Sequence, residues 1–327
     1  MQVTCARVPR EKGEAVRQQI AAQGNLNTDY QITSEDEWVF IPIDEVESFQ
    51  LEYPIVTKDI DPRETQTLPA DILGFEPSYE RLGDIVIIDE EDPDRANQIA
   101  TAVMESSIPA KTVVNRQSKI KGKIRTRDWE IIKGNGTETV HREYGHTYKL
   151  DISEVYFSPR LATERHRVVT QVEPNERIMD MFAGVGPFVI PCAKRGKHAV
   201  GVDINATAID YLRENAEINS VTSAVTAIHG DVRDLPPDYD NWAHRIIMNL
   251  PHSADEYLST AYQLAAEECI IHYYDIQPEA APFEESIQTI KDALSDRYSI
   301  SVTDKRIVRS YSPTEVNVCL DVQIQTA

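Results

Sequence analysis

From residue 156 onward, short apolar runs alternate with amphipathic ones. RIMDMF, HAVGVDI, VTAIHGD, HRIIMNL and ECIIHYYDI read as strands, with helical segments such as ATAIDYLRENAEINS between them. Successive strands joined through helices have to lie parallel, because only a long crossover returns the chain to the same edge. The pattern predicts an α/β fold with a doubly wound, Rossmann-like sheet, whose ligand sits outside the carboxyl ends of the strands. The tail, SISVTDKRIVRSYSPTEVNVCLDVQIQ, alternates as two further strands at a sheet edge.

Two smaller α/β or α+β domains are predicted ahead of this sheet. Residues 1–54 offer a strand (QVTCARV), a helix (EKGEAVRQQIAAQ) and alternation through DYQITSEDEWVFIPI. Residues 55–70, polar and broken by prolines, read as a linker. Residues 71–155 begin with a strand (GDIVIID), turn through EEDPD into a helix (RANQIATAVMES) and end in a basic stretch that reads as paired strands around GNG. The sheet domain then spans 156–327.

Composition narrows the function. No apolar run approaches the roughly 18 residues of a membrane helix. The start, MQVTCARVPREKGE, has no signal-peptide core, so a cytoplasmic protein is expected. Cys5, Cys192, Cys269 and Cys319 show no metal or disulfide spacing, and no metal is expected. The 33 Lys and Arg against 54 Asp and Glu give a formal net charge of −21. By itself this argues against a nucleic-acid partner, but it also fits a surface adapted to high salt. The second reading is favoured because the charge is uneven: residues 111–149 hold ten basic side chains and four acidic ones, a local +6.

The strongest motif is DMFAGVGPFVI, residues 180–190. A strand ends at Asp180, and a turn bearing Gly184 and Gly186 opens a helix, letting backbone approach a ligand closely. The next strands end in Asp203, Asp231 and Asn249, so four consecutive strand ends bring a polar acceptor to one crevice. The third glycine of a dinucleotide fingerprint is absent, and Pro187 follows Gly186. An acidic residue before the turn suits a cationic ligand better than a pyrophosphate. S-adenosylmethionine (SAM), with a sulfonium, an amino acid moiety and a ribose but no phosphate, fits. The residues expected at it are Asp180, Phe182, Gly184, Gly186, Asp203, Ile204, Asn205, Asp231, Val232 and Asn249.

VYFSPRLATERHRV, DMFAGVGPF, VDINATAID, GDVRDL, MNLPHSADEYL and IHYY together resemble the archaeal tRNA (guanine-37-N1)-methyltransferases over essentially the whole chain. The resemblance implies an N-terminal domain at the outer corner of tRNA, and middle and C-terminal domains cooperating at the anticodon loop. It places the general base on Glu164, which would take the proton that makes guanine N1 a poor nucleophile. It also implies an arginine from KGKIRTRDWE, Arg125 first and Arg127 second, against charge building on O6. Asn249 would orient the base edge, with Pro251 keeping its turn rigid, and Arg165 would contact SAM. Lys119, Lys121, Lys123, Arg127 and Arg142 would hold flanking RNA backbone. Tyr257 reads equally as core packing or a stacking platform, and His272 as a satisfied core residue. A monomer is expected.

Two other functions compete. The related wyosine-pathway enzyme transfers an aminocarboxypropyl group from SAM to a tRNA base, but departs from the SPR–ER and Asn-Leu-Pro residues found here. A non-catalytic, SAM-sensing RNA-binding protein would have no use for Glu164 and Asn249.

Overall fold

The computed structural model describes the chain apart from residues 45–51, 64–65, 119–121, 123–126, 197, 294–297 and 327. It divides into two compact units, Met1–Thr67 and Leu68–Ala327. No helix among the described residues is long and apolar enough to cross a membrane.

The first unit contains β1 (Gln2–Pro9), α1 (Gly13–Ala22), β2 (Thr33–Glu35), β3 (Trp38–Pro42) and β4 (Ile55–Asp59), in an antiparallel sheet of order β2-β3-β1-β4. Val16 and Ile20 on α1 pack against Val8, Val39 and Ile41 of the sheet. Strand β4 lies within the stretch expected to be a linker, and this corrects that expectation. An edge strand pairs through its backbone, here with Gln2–Ala6. It leaves Ile55 half exposed, so it carries little of the apolar patterning that reveals a strand.

The second unit opens with α2 (Pro69–Leu73), β5 (Tyr79–Leu82), β6 (Ile85–Ile88), α3 (Pro93–Glu105), β7 (Thr112–Arg116) and β8 (Trp129–Gly134), giving a sheet of order β5-β6-β7-β8. Asp92 caps α3 through the amides of Asp94 and Arg95, and Pro93 follows at the first helical position. Then β9 (Glu138–Glu143) and β10 (His146–Asp151) form a separate hairpin. The GNG turn therefore does not join paired strands as expected: β8 pairs with β7, and Gly134–Gly136 carries the chain from one sheet to the other. Gly134 has φ +78°, and a Cβ there would lie 2.0 Å from the Lys111 carbonyl oxygen, so only glycine permits the crossing. The hairpin turn is Tyr144-Gly145, with φ +46° and +81°.

The large sheet is built from β11 (Arg177–Asp180), β12 (His198–Asp203), β13 (Val225–His229), β14 (Ala243–Met248), β15 (Ala265–Pro278), β16 (Tyr298–Ser310) and β17 (Glu315–Thr326). Its order is β13-β12-β11-β14-β15-β17-β16, parallel through β15, with β17 antiparallel to both neighbours. The order reverses between β11 and β14, which opens a crevice there. Helices α4 (Ala162–Thr170), α5 (Val189–Arg195) and α6 (Ala206–Ile218) contribute to the core on one face, and α7 (Leu258–Leu264) and α8 (Glu284–Ala293) to the core on the other.

The first of these cores also takes in Leu82, Ile85, Val114, Tyr148 and Leu150, so packing runs unbroken across the boundary that composition suggests at 155/156. Asn215, fully buried on α6, accepts from the Lys149 amide and donates to the Lys149 and Val185 carbonyls, fixing β10 to the sheet domain.

Candidate active site

The crevice floor is made of strand ends. Asp180 closes β11 with 1% exposure, and among the described residues its carboxylate accepts only the Phe182 amide. Burial, reinforced by Asp203, pushes its pKa up to about 7. Asp203 closes β12 and accepts from the Gly184 amide at 2.7 Å on one oxygen and from the Asn205 amide at 2.9 Å on the other. Burial raises its pKa as well. The Ile204 amide also donates to this carboxylate. Each oxygen of an ionised carboxylate has two acceptor positions, so Asp203 retains capacity for one further hydroxyl donor.

Gly186, at φ +90°, lies where a Cβ would come 2.3 Å from Leu212 Cδ1, so the turn hugs α6 and the crevice keeps its depth. Ile204 presents an apolar side chain that is 40% exposed. A buried carboxylate, a glycine turn, a carboxylate with an open acceptor position and an exposed aliphatic edge suit the ammonium, ribose and base of SAM.

Other expected residues have structural duties. Asn205 caps α6 through the Thr207 and Ala208 amides and donates to the Glu154 carbonyl. Its side chain thus shapes the crevice rather than lining it. Asp231 holds the Arg233 guanidinium on both oxygens, and Arg233 lies 4.7 Å over the Tyr257 ring. Tyr257 meets Phe182 edge to face at 4.9 Å. Of its two readings, packing is the one the structure shows. Val232 and Pro251 are buried. The Asn249 side chain, half-buried just past β14, has no hydrogen-bond partner among the described residues.

The segment after β10 crosses this end of the sheet. The Glu154 carbonyl meets Asn205, the Tyr156 carbonyl approaches Gly184, and the chain then enters α4. Arg165, expected at SAM, is instead buried in a two-point pair with Glu143 of β9, at 2.8 and 2.5 Å, and also donates to the Ser158 carbonyl. Through Nε and Nη2, Arg165 fastens the hairpin to α4. Burial alone would raise the Glu143 pKa, but Arg165 and His141 outweigh it and hold the carboxyl below its ordinary value.

Glu164 is 7% exposed. Oε1 accepts from the Tyr274 hydroxyl at 2.9 Å and from Arg167 Nη2 at 2.7 Å, and Oε2 accepts from Arg167 Nε at 2.9 Å. Oε2 keeps one open acceptor position. Arg167 is in turn held by Asp321, at 2.5 and 3.0 Å. Asp321 meets His272 Nδ1 at 2.7 Å, and Arg245 reaches His272 Nε2 at 2.8 Å. A guanidinium only donates, so Nε2 accepts and the ring proton sits on Nδ1, facing Asp321. The neutral ring agrees with burial, which lowers the His272 pKa. His272, Cys319 and Asp321 are the one group among the described residues with metal-like spacing. Two guanidinium groups already occupy that cluster, which disfavours a cation.

The sequence reading missed Tyr274, Arg167 and Asp321. The three-residue spacing of Glu164 and Arg167 is a recognisable helical ion-pair signal. Asp321 lies 154 positions from Arg167, and no local pattern could have linked them.

Arg127 is half-buried, with its guanidinium 5.3 Å from the centre of the Trp129 ring. Burial and the neighbouring Arg116 lower its pKa, while Tyr156, Asp89 and Glu80 act in the opposite direction. Arg116 and Arg160 share Glu80, at 2.6 and 3.2 Å, which joins β5 and β7 to the turn before α4. Arg142 is exposed on β9. Lys119, Lys121, Lys123 and Arg125 lie outside the described residues.

Comparison with known proteins agrees with this architecture. The family model of the TRM5/TYW2 methyltransferase domain matches residues 139–303. Those of the TYW2 N-terminal domain and the tRNA methyltransferase 5 N-terminal domain match 65–137 and 5–49. The tRNA (guanine(37)-N(1))-methyltransferase Trm5b of Pyrococcus abyssi is 38% identical over 97% of this chain and 98% of that protein. The tRNA(Phe) (4-demethylwyosine(37)-C(7)) aminocarboxypropyltransferase of Pyrococcus horikoshii is 31% identical over 80% of this chain and 94% of that protein. Among solved structures, a complex of aTrm5 with tRNALeu superposes with a TM-score of 0.72 at 32% identity, covering 98% of this chain and 99% of that one.

Proposed function

Because this chain belongs to the TRM5/TYW2 methyltransferase family, we propose that it transfers the methyl group of SAM to N1 of guanosine 37 in the tRNA anticodon loop. Glu164 acts as general base, and Arg125 or Arg127 stabilises O6. The observation that carries this reading is the Glu164 carboxylate, buried and fixed from two sides, with one acceptor position left on Oε2. A base held in one orientation removes the N1 proton without first being ordered. As that proton leaves, negative charge develops on O6, where the guanidinium of Arg125 or Arg127 meets it. Asn249, just past β14 and without a hydrogen-bond partner among the described residues, hydrogen-bonds the purine edge. SAM supplies an electrophilic methyl group on its sulfonium, with Asp180 and Asp203 holding its ammonium and ribose. The target base leaves its stack to reach the crevice, at a cost of a few kcal/mol.

Methyl transfer is favoured over aminocarboxypropyl transfer because the Trm5b relative matches along the full length, and residues 5–49 fit the tRNA methyltransferase 5 N-terminal domain. The test uses labelled SAM and tRNA transcripts carrying guanosine or adenosine at position 37, in high potassium chloride, with nucleosides analysed by mass. A methyl group on guanosine alone, lost about 100-fold or more in Glu164→Gln with SAM binding retained, is the expected result. An aminocarboxypropyl mass, or no transfer despite SAM binding, overturns it.

A further inference from the structure

Two side chains near the carboxyl end of the sheet have no role in the site so far. Asn317 on β17 is 2% exposed, and its amide oxygen is buried without a hydrogen-bond partner among the described residues. Arg309, directly opposite on β16, buries an unpartnered Nε. No carboxylate or ring among the described residues meets its guanidinium, although acids outnumber bases 54 to 33 in this chain. A buried acceptor and a partly buried donor left unmatched are each costly. Their adjacency is therefore informative.

The sheet register places them. Tyr274 pairs with Cys319, Ile276 with Asn317, and Asn317 with Arg309. Opposed residues share a face, and residues two apart along a strand return to it. Asn317 thus stands on the face that carries Tyr274 and Glu164, one step nearer the carboxyl end of β15, and Arg309 is paired with it just past a bulge in β16. Asn249 marks the neighbouring strand end.

We propose that Arg309 and Asn317 form a backbone subsite for the nucleotide being methylated, Arg309 taking a phosphate oxygen and the Asn317 amide oxygen taking the ribose 2′-hydroxyl. The chemistry selects this pairing. An arginine needs acceptors, and a phosphodiester offers two non-bridging oxygens at a spacing that the planar guanidinium can meet with paired donors. A buried amide oxygen needs a donor, which phosphate cannot supply and the 2′-hydroxyl of RNA can. One ribonucleotide carries both groups side by side. The subsite rests on the reading of Glu164 as lying beside the target base.

The test is a pair of double-mutant cycles between protein and RNA. Single-turnover kcat/KM is measured for wild type, Asn317→Leu and Arg309→Gln, on ligated tRNA carrying guanosine or 2′-deoxyguanosine at position 37. A second substrate series carries a neutral methylphosphonate on either side of that nucleotide. Wild type should lose about 10-fold on the deoxy substrate, and Asn317→Leu should lose about as much on RNA but nothing further on the deoxy substrate. Arg309→Gln should likewise become insensitive to one of the two methylphosphonates. Arg309 sits on an edge strand, so its cycle stands even if Asn317→Leu fails to fold. Additive losses in both cycles, with guanosine 37 still methylated by wild type, overturn the subsite alone. Transfer to another position or of another group overturns the functional reading instead.

Discussion

The Tyr274 hydroxyl donates to Oε1 of Glu164 at 2.9 Å, across 110 positions of sequence. This one contact joins the last parallel strand of the sheet to the first turn of α4. Tyr274→Phe keeps the ring that packs near Phe188 and removes only the donor. The prediction is a roughly 10-fold fall in single-turnover methyl transfer with unchanged SAM affinity. An unchanged rate would show that Arg167 alone orients the carboxylate.

The Arg165–Glu143 pair is the next test, because the two residues are almost completely buried together. Arg165→Gln strands a buried carboxylate, so stability should fall by about 3–5 kcal/mol, read from denaturant midpoints. Glu143→Gln combined with Arg165→Met should recover most of that loss. The folded pKa of Glu143 is depressed, so its contribution is present above the unfolded value of about 4.3 and is lost as pH falls toward the lower folded value. Acid unfolding of the double variant should therefore begin at lower pH than that of wild type.

Asp180 behaves in the opposite sense. Its folded pKa is raised to about 7, so the stability it contributes is present below the unfolded pKa and is lost as pH rises toward 7. A cationic ligand favours the ionised form. SAM should then bind more tightly as pH rises through about 7, with proton release that appears as a buffer-dependent enthalpy in calorimetry. Asp180→Asn should raise the melting temperature without ligand at pH 8 and weaken SAM by about 10-fold or more. Proton-neutral binding would exclude Asp180 as the ammonium partner.

Arg142 is exposed on β9 within a basic island of an otherwise acidic chain. Arg142→Gln should weaken tRNA binding a few-fold and reduce the slope of log affinity against log salt by about 1. SAM binding should not change. An unchanged slope would place the RNA elsewhere.

Much of this site was legible because its determinants are local. A glycine turn after a strand, an acid or amide at each following strand end, and helices between strands suffice to specify a switch-point crevice, and these lie within short windows. Strand β4 and the route of the chain through Gly134 were not legible, since an edge strand and a close backbone crossing leave little apolar pattern. Arg165 and Asn205 show a different limit. Residue type and position favoured ligand contact, while burial beside Glu143 and capping of α6 claimed their side chains.

The sequence by itself determined the α/β class, the doubly wound sheet and the crevice, because periodicity and strand-end chemistry are properties of contiguous residues. Only the tertiary structure decided how Glu164 is held. Its support comes from Arg167 one turn away, from Tyr274 on β15, which meets it once α4 packs on the sheet, and through Arg167 from Asp321, which comes within reach only once β17 is inserted beside β15.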